Sequence, residues 1–228
     1  MSRRARLVTL AAVGAVLAVG GIAEAVARHY AADRFADRME RRLHTGLDVG
    51  FGPTPVTLQL ARGSFPRVEV SGEGATFRRF SGVDLHAELD DVVRTGDGLS
   101  VRDSRVSAEL GDAALTDAVS AMTGGALGRA TVTTDPAAHE LVVHAGPAGR
   151  VTVGFRPVLE DGGLRFERTA VRIGDRAVPD ALAGQLLGDA PREVDLSALP
   201  LRLEPERVAV TPDGLRLELT GGPTTVKA

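Results

Sequence analysis

Histidine is the side chain with which this chain would most readily bind a metal or move a proton, and the spacing of its histidines argues against both. No two of the five histidines stand four residues apart, as two zinc ligands on one helical turn would. The chain also has no cysteine, which excludes thiolate metal sites, thiol catalysis and disulfide bonds. We therefore predict no metal site and no cofactor. The histidines are His29, His44, His86, His139 and His144.

Carboxylates are the other groups suited to acid–base chemistry, and most occur where the polar face of a strand would place them. A glycosidase pair can be formed by acids far apart in the chain. However, only 4% of residues are aromatic and none is tryptophan, which leaves little to bind a sugar. The sequence has no G-x-S-x-G elbow and no Walker or Rossmann glycine pattern. We predict no catalytic residue and no enzymatic activity. The acids considered are Asp84, Glu88, Asp90, Asp91, Glu193 and Asp195.

The overall charge argues against nucleic acid as a partner. The formal net charge is −3 and the sequence pI is about 6.0. Binding to a phosphate backbone needs a clustered basic surface instead.

A basic cluster followed by an apolar run marks the N-terminal region as a membrane segment. Arg3, Arg4 and Arg6 precede the uncharged residues 7–23, and the first acid is Glu24. At about 1.5 Å per helical residue this run just spans a bilayer core. Arginines before the run keep the N-terminus cytosolic and send the rest across the membrane.

A cleaved signal peptide is the alternative, since Ala23, Ala25 and Ala27 would suit an A-x-A cleavage site. The run is longer than the usual apolar region of a signal peptide, and an amphipathic helical pattern continues beyond it. We therefore predict one long helix over residues 7–44. Residues 1–27 form the anchor or signal peptide, 28–46 a juxtamembrane helix, and 47–228 an extracytoplasmic domain, which is secreted if cleavage occurs.

Alternation of apolar and polar residues dominates the rest of the chain and predicts strands with one buried face. The connections Gly146–Gly149, 160–163 and 211–214 have the proline, aspartate and glycine of tight hairpins, so the sheet is mainly antiparallel. The alternating segments lie around residues 68–70, 83–89, 106–110, 151–155, 164–166, 208–210 and 215–219.

Three short helical segments interrupt the strands. Apolar residues repeat every three or four positions after Asp112 and again over residues 178–187. Residues 52–63 contain two prolines and then one amphipathic turn that ends at Gly63. This turn is either a cap over an open edge of the core or a lid at the mouth of a cavity.

The predicted strands outnumber the helices that could cover them. Either the strands cover each other in a sandwich, or the sheet wraps the helices and leaves an apolar groove. We predict an α+β fold in which a long, curved, mainly antiparallel sheet wraps a few helices, with an N-terminal transmembrane helix.

Three segments of the chain together carry a family resemblance. The first is the anchor and the helix after it. The second runs from Phe51-Gly52-Pro53 through Gln59 and Phe65 into an alternating strand. The third comprises residues 199–203 and 208–215, a Leu-Pro stretch and a Val-Thr-Pro-Asp-Gly-Leu hairpin. Together these segments resemble the LmeA-type phospholipid-binding proteins of actinobacteria. The resemblance implies an envelope protein that binds phospholipid, with a role in lipoglycan elongation in the best-known member, and it supplies no catalytic residues.

We therefore predict a non-catalytic, membrane-anchored extracytoplasmic protein of the cell envelope. It would hold or transfer phospholipid or a lipid-linked glycan, with an envelope glycosyltransferase as a possible partner. The alternative is an envelope scaffold that binds proteins instead of lipid. The predicted groove residues are Val56, Leu60, Phe65, Val68, Val70, Leu85, Leu89, Leu115, Val119, Met122, Leu182 and Leu186.

Overall fold

A computed structural model describes seven stretches of the chain and four residues near the predicted anchor. Glu24, Ala25, Ala27 and His29 are helical. The rest of the predicted anchor and of the helix after it lies outside the described residues, as does most of the predicted helix 178–187. No helix within the described part is both long and apolar enough to cross a membrane. The stretches are 46–77, 80–96, 98–122, 130–146, 149–179, 193–197 and 199–227.

The first sheet contains eight antiparallel strands. Two of them, β4 (Gly98–Val101) and β14 (Thr224–Lys227), pair with each other, and β4 also pairs with β3. The other six follow in the order β1 (Asp48–Gly50), β2 (Ser64–Phe77), β3 (Phe80–Thr95), β5 (Asp103–Gly111), β13 (Gly214–Gly221) and β12 (Leu203–Thr211).

The second sheet contains six antiparallel strands. Five follow in the order β10, β9, β8, β7 and β6, and β11 also pairs with β9. Their bounds are β6 (Thr131–Asp135), β7 (Glu140–Ala145), β8 (Val151–Glu160), β9 (Gly163–Ile173), β10 (Arg176–Ala177) and β11 (Glu193–Asp195).

Within residues 46–227, the described part of the chain contains two helices and a 3-10 turn beside the sheets. Helix α1 (Val56–Arg62) ends at Gly63, whose φ of 64° lies in the region that favours glycine. Helix α2 (Asp112–Met122) connects β5 to β6, and the 3-10 turn is Pro200–Arg202. The predicted α1 and α2 are thus confirmed.

The prediction of a mainly antiparallel α+β fold is confirmed, but the strands form two sheets instead of one continuous sheet. Alternation shows which face of a strand is apolar, and it does not show which strand lies beside it. After β5 the chain leaves the first sheet through α2, builds the second sheet, and returns with β12 and β13.

Buried apolar residues form two separate clusters. The inter-sheet cluster joins the second sheet and α2 to β12 and β13. Its buried members are Leu115, Ala130, Val132, Leu141, Val143, Val153, Leu164, Val171, Leu196, Leu203, Val210, Leu215, Leu217 and Leu219. In this half of the molecule the apolar faces cover each other, as the sandwich alternative expects.

The second cluster, named here the α1 cluster, lies between α1 and one end of β2, β3 and β4. At this end the in–out alternation of side chains is interrupted at the same position in β2 and in β3. Val68 and Leu89 pair and are buried, and three residues further on Phe65 and Val92 pair and also face the cluster. Between them lie Pro66, which has no N–H, and Asp91, whose φ is 49°. The buried members are Leu47, Phe51, Val56, Val68, Val70, Leu89, Val92 and Val101.

The opposite face of the first sheet is charged, and its ion pairs follow the strand register. Asp90 accepts hydrogen bonds from Arg67 at 3.3 Å and Arg105 at 3.0 Å. Arg216 on β13 donates to Glu109 on β5 at 2.7 Å. Each exposed pair contributes little stability, but together they identify this face as the one in water.

Candidate functional site

The inner face of the first sheet is an apolar surface that spans five strands. Register places Gly72 opposite Leu85, Leu85 opposite Ala108, Ala108 opposite Leu217, and Leu217 opposite Val208. Side chains of directly paired residues lie on the same face of a sheet. The row therefore runs unbroken from β2 to β12.

Helix α1 and the loop before it cover one end of this face. The side chain of Val56 is fully buried in the α1 cluster, and Phe51 and Phe65 contact each other with ring centroids 5.7 Å apart. This position corresponds to the cap alternative for residues 52–63, since α1 closes an open edge of the core.

A buried glutamine holds α1 to the loop that precedes it. Gln59 is only 2% exposed, and its Nε2 donates to the backbone oxygens of Phe51 at 3.1 Å and Thr54 at 2.7 Å. Its Oε1 is buried without a hydrogen bond to any described residue. A buried amide with two good bonds fixes the loop geometry, and replacing it leaves both carbonyls unsatisfied.

The inter-sheet cluster covers the other end of the face. Leu115 is buried there and Val119 packs against it, so one side of α2 belongs to this cluster. The Thr116 hydroxyl accepts a hydrogen bond from the Val132 amide at 2.9 Å, which joins α2 to the first strand of the second sheet.

Between the two clusters lies a row that we name the central strip, formed by Gly72, Leu85 and Ala108, with Ala87 beside it packed against the α1 cluster. Two of these three residues have no side chain or only a methyl group, so the strip fills little space above the sheet. Leu85 is half-buried, and it belongs to neither cluster of the described residues. Leu85 is therefore a point on this face that neither described cluster covers, although its neighbours Gly72 and Ala108 are buried.

The predicted groove residues are divided between these regions. Val56, Val68, Val70 and Leu89 are buried in the α1 cluster, and Phe65 packs against it. Leu115 and Val119 belong to the inter-sheet cluster, whereas Leu85 lies on the central strip. Leu60 is 48% exposed on α1. Leu182, Leu186 and the side chain of Met122 lie outside the described residues.

Sequence reasoning did not select Gln59, Ala87 or Ala108. Ala87 alternates with Leu85 and Leu89, so the signal for its face was present in the sequence. Ala108 alternates in the same way between Val106 and Leu110. Nothing in the sequence marks Gln59 as buried, because its burial depends on carbonyl groups that the loop brings to it.

The candidate polar residues lie apart from the apolar face. His86 is exposed beside Glu88, with Nε2 and Oε1 3.9 Å apart, and His144 pairs with the Thr133 hydroxyl at 3.0 Å. The hydrogen bond with Asp103 and the negative charge of Asp91 raise the pKa of Arg102, which remains a cation. No group of three or more potential metal ligands occurs among the described residues.

Comparison with known proteins supplies a family. The chain matches the family described as LmeA-like phospholipid-binding over residues 18–220, which is most of its length. No curated protein and no solved structure matches the chain.

Proposed function

Since the chain belongs to the LmeA-like phospholipid-binding family, we propose that it is a membrane-anchored extracytoplasmic protein that holds or transfers phospholipid without catalysis. The observation that carries the proposal is the central strip, an apolar row on a continuous inner face whose largest side chain, Leu85, is half-buried and belongs to neither cluster. An acyl chain lying there exchanges one apolar environment for another. A protein groove therefore needs little net affinity to take a lipid from a bilayer.

The distribution of charge supports a binding role without chemistry. The row that includes the central strip is apolar from β2 to β12, whereas the carboxylates Asp90, Glu88 and Glu109 pair with arginines on the opposite face. A general acid or base has to lie within hydrogen-bond reach of the reacting group. These acids face away from the proposed lipid.

Membrane anchoring and envelope location are parts of the same proposal. They rest on the arginines before residues 7–23 and on the length of that apolar run. An envelope glycosyltransferase that elongates lipid-linked glycans would be the partner, and a lipid-linked glycan is an alternative ligand.

Filling the central strip tests the lipid site. We expect Ala87→Phe to lower the amount of phospholipid that copurifies with the full chain in mild detergent, because a phenyl ring would occupy the space of an acyl chain. Native mass spectrometry with lipid extraction measures this loss. Ala87 is half-buried at the edge of the α1 cluster, so the ring would extend over the neighbouring strip and the melting temperature should change little.

Ala170→Phe is the matched control, since Ala170 is exposed on the second sheet. It should keep the wild-type lipid content. Unchanged phospholipid in Ala87→Phe would contradict the site. A loss of about 1–3 kcal/mol in the free energy of unfolding would also contradict it, because the ring would then overpack a filled core. A wild-type protein that carries no phospholipid at all would favour the scaffold alternative.

The non-catalytic part of the proposal has its own test. We expect alanine at His86, Asp90, Glu193 or Asp195 to leave bound phospholipid and envelope function within a few fold of the wild type, because none of these groups would meet a reacting atom. Complementation of a deletion strain measures function. A folded variant that keeps its lipid and loses function would instead identify an enzyme.

A further inference from the structure

The outer surface of α1 exposes large apolar side chains. Leu58 is 40% exposed and Leu60 is 48% exposed. Ala61 on the same helix is also exposed. Single exposed leucines are common on protein surfaces. At about 100° per helical residue the two leucines lie about 160° apart, at the two borders of the exposed side of α1, with Ala61 between them.

Basic side chains flank this surface. Arg62 ends α1 and is exposed. Arg94, also exposed, lies beside the helix end, because its amide donates to the Gly63 carbonyl at 2.7 Å. An apolar helix surface with arginines at its border is the pattern of an element that lies in the interface of an anionic bilayer.

A long-range contact relates this helix to the apolar run near the N-terminus. The Glu24 carboxylate accepts hydrogen bonds from the Val56 amide, from the Thr57 amide at 3.1 Å and from the Thr57 hydroxyl at 2.9 Å. Pro55, at the N-cap position, provides no side-chain cap. Glu24 directly follows residues 7–23, so the first turn of α1 is bonded to the end of the proposed anchor.

We propose that Leu58, Leu60 and Ala61, bordered by Arg62 and Arg94, form a membrane-docking surface that contacts an anionic phospholipid bilayer. This inference rests on the proposed anchoring. Two leucines would bind a membrane only weakly on their own. The anchor holds the domain at the bilayer, so the contact forms at a high effective concentration and even a weak contact is populated.

Docking by this surface would also set the position of the central strip relative to the bilayer. Leu89 lies in the cluster beneath α1, and Leu85 on the central strip is four residues away along β3. At about 3.4 Å per strand residue the strip begins ~14 Å from the covered end. Docking through α1 would therefore place Leu85 beyond the α1 cluster as seen from the bilayer.

The absence of cysteine permits a direct test with single spin labels. The full chain carrying Leu58→Cys or Leu60→Cys would be labelled with a nitroxide. It would then be reconstituted in vesicles of phosphatidylcholine with phosphatidylglycerol. Ile173→Cys is the matched control, since Ile173 is 45% exposed on the second sheet. We expect the labels at positions 58 and 60 to be accessible to oxygen and protected from a water-soluble nickel complex, and the label at 173 to show the reverse.

A charge variant tests the role of the arginines. With Arg62→Ser and Arg94→Ser together, the ratio of docked to undocked protein on these vesicles should fall about fivefold for each arginine removed. For the labelled protein with both arginines retained, the ratio of docked to undocked protein should be similarly low on vesicles of pure phosphatidylcholine.

Vesicle flotation separates failure of this inference from failure of the proposed function. A full chain that floats with the vesicles but has equally water-exposed labels at positions 58, 60 and 173 would overturn the docking surface and keep the anchor. A full chain that does not float would overturn both. Membrane protection at position 173 as well would show a different orientation and would also overturn the proposal.

Discussion

Leu85→Asp is expected to leave the domain folded and to remove most of its bound phospholipid, whereas Val68→Asp on the neighbouring strand is expected to unfold it. Both side chains point to the inner face of the first sheet. Val68 is 1% exposed within the α1 cluster, where an unpaired carboxylate costs about 3–5 kcal/mol. Leu85 is half-buried on the central strip, and a carboxylate there can remain hydrated when no lipid is bound.

Melting temperature and copurified phospholipid should be measured together for both variants in full-length protein. In a chain of this size 1 kcal/mol corresponds to about 2–4 °C of melting temperature. Loss of the fold in both variants would show that Leu85 is ordinary core and that lipid binds elsewhere. A folded Leu85→Asp with undiminished phospholipid would exclude the central strip as the lipid site.

Gln59→Glu is expected to destabilise the protein by about 3–5 kcal/mol at neutral pH, although the two side chains have nearly the same shape. In the native protein the amide donates to the carbonyls of Phe51 and Thr54. A carboxylate at the same place can donate nothing, and it would face two carbonyl oxygens inside a buried site. The loop from Phe51 to Pro55 would then separate from α1.

The pH dependence of this variant follows from the same geometry. Burial raises the pKa of the introduced carboxyl above its unfolded value of about 4.3. The folded state therefore holds the proton at a pH where the unfolded state has lost it. Stability relative to the wild type should be greatest below pH ~4.3 and should fall as pH rises through the pKa of the folded state.

Gln59→Leu is the control, because it removes both hydrogen bonds without adding a charge. It should cost about 2–3 kcal/mol, with little additional dependence on pH. Thermal unfolding of both variants and the wild type between pH 4 and 7 compares them. If Gln59→Glu lowered the free energy of unfolding by the same amount at all pH values, position 59 would reach water and the account of its burial would be wrong.

The sequence determined that the seven alternating segments are strands and which face of each is apolar. Leu215, Leu217 and Leu219 alternate with polar residues, and all three are buried against the inner surface. The hairpin between β8 and β9 was equally readable, since Asp161 and Gly162 both adopt positive φ in the turn. These features depend on neighbouring residues alone, so local chemistry is sufficient to predict them. The same local segments carried the resemblance to the family.

Tertiary structure alone decided which strands pair and which polar groups are buried. Leu110 pairs with Leu215, which is more than a hundred positions away, and nothing in the alternation distinguishes β13 from the other possible partners of β5. Gln59 and Glu24 look like surface residues in the sequence. Their roles come from backbone groups that folding brings to them: the carbonyls of Phe51 and Thr54 for Gln59, and the free amides at the start of α1 for Glu24. The strip at Leu85 arises in the same way, because two cores assembled from distant segments end on either side of it. A pattern with a period of two residues contains no information about where such cores end.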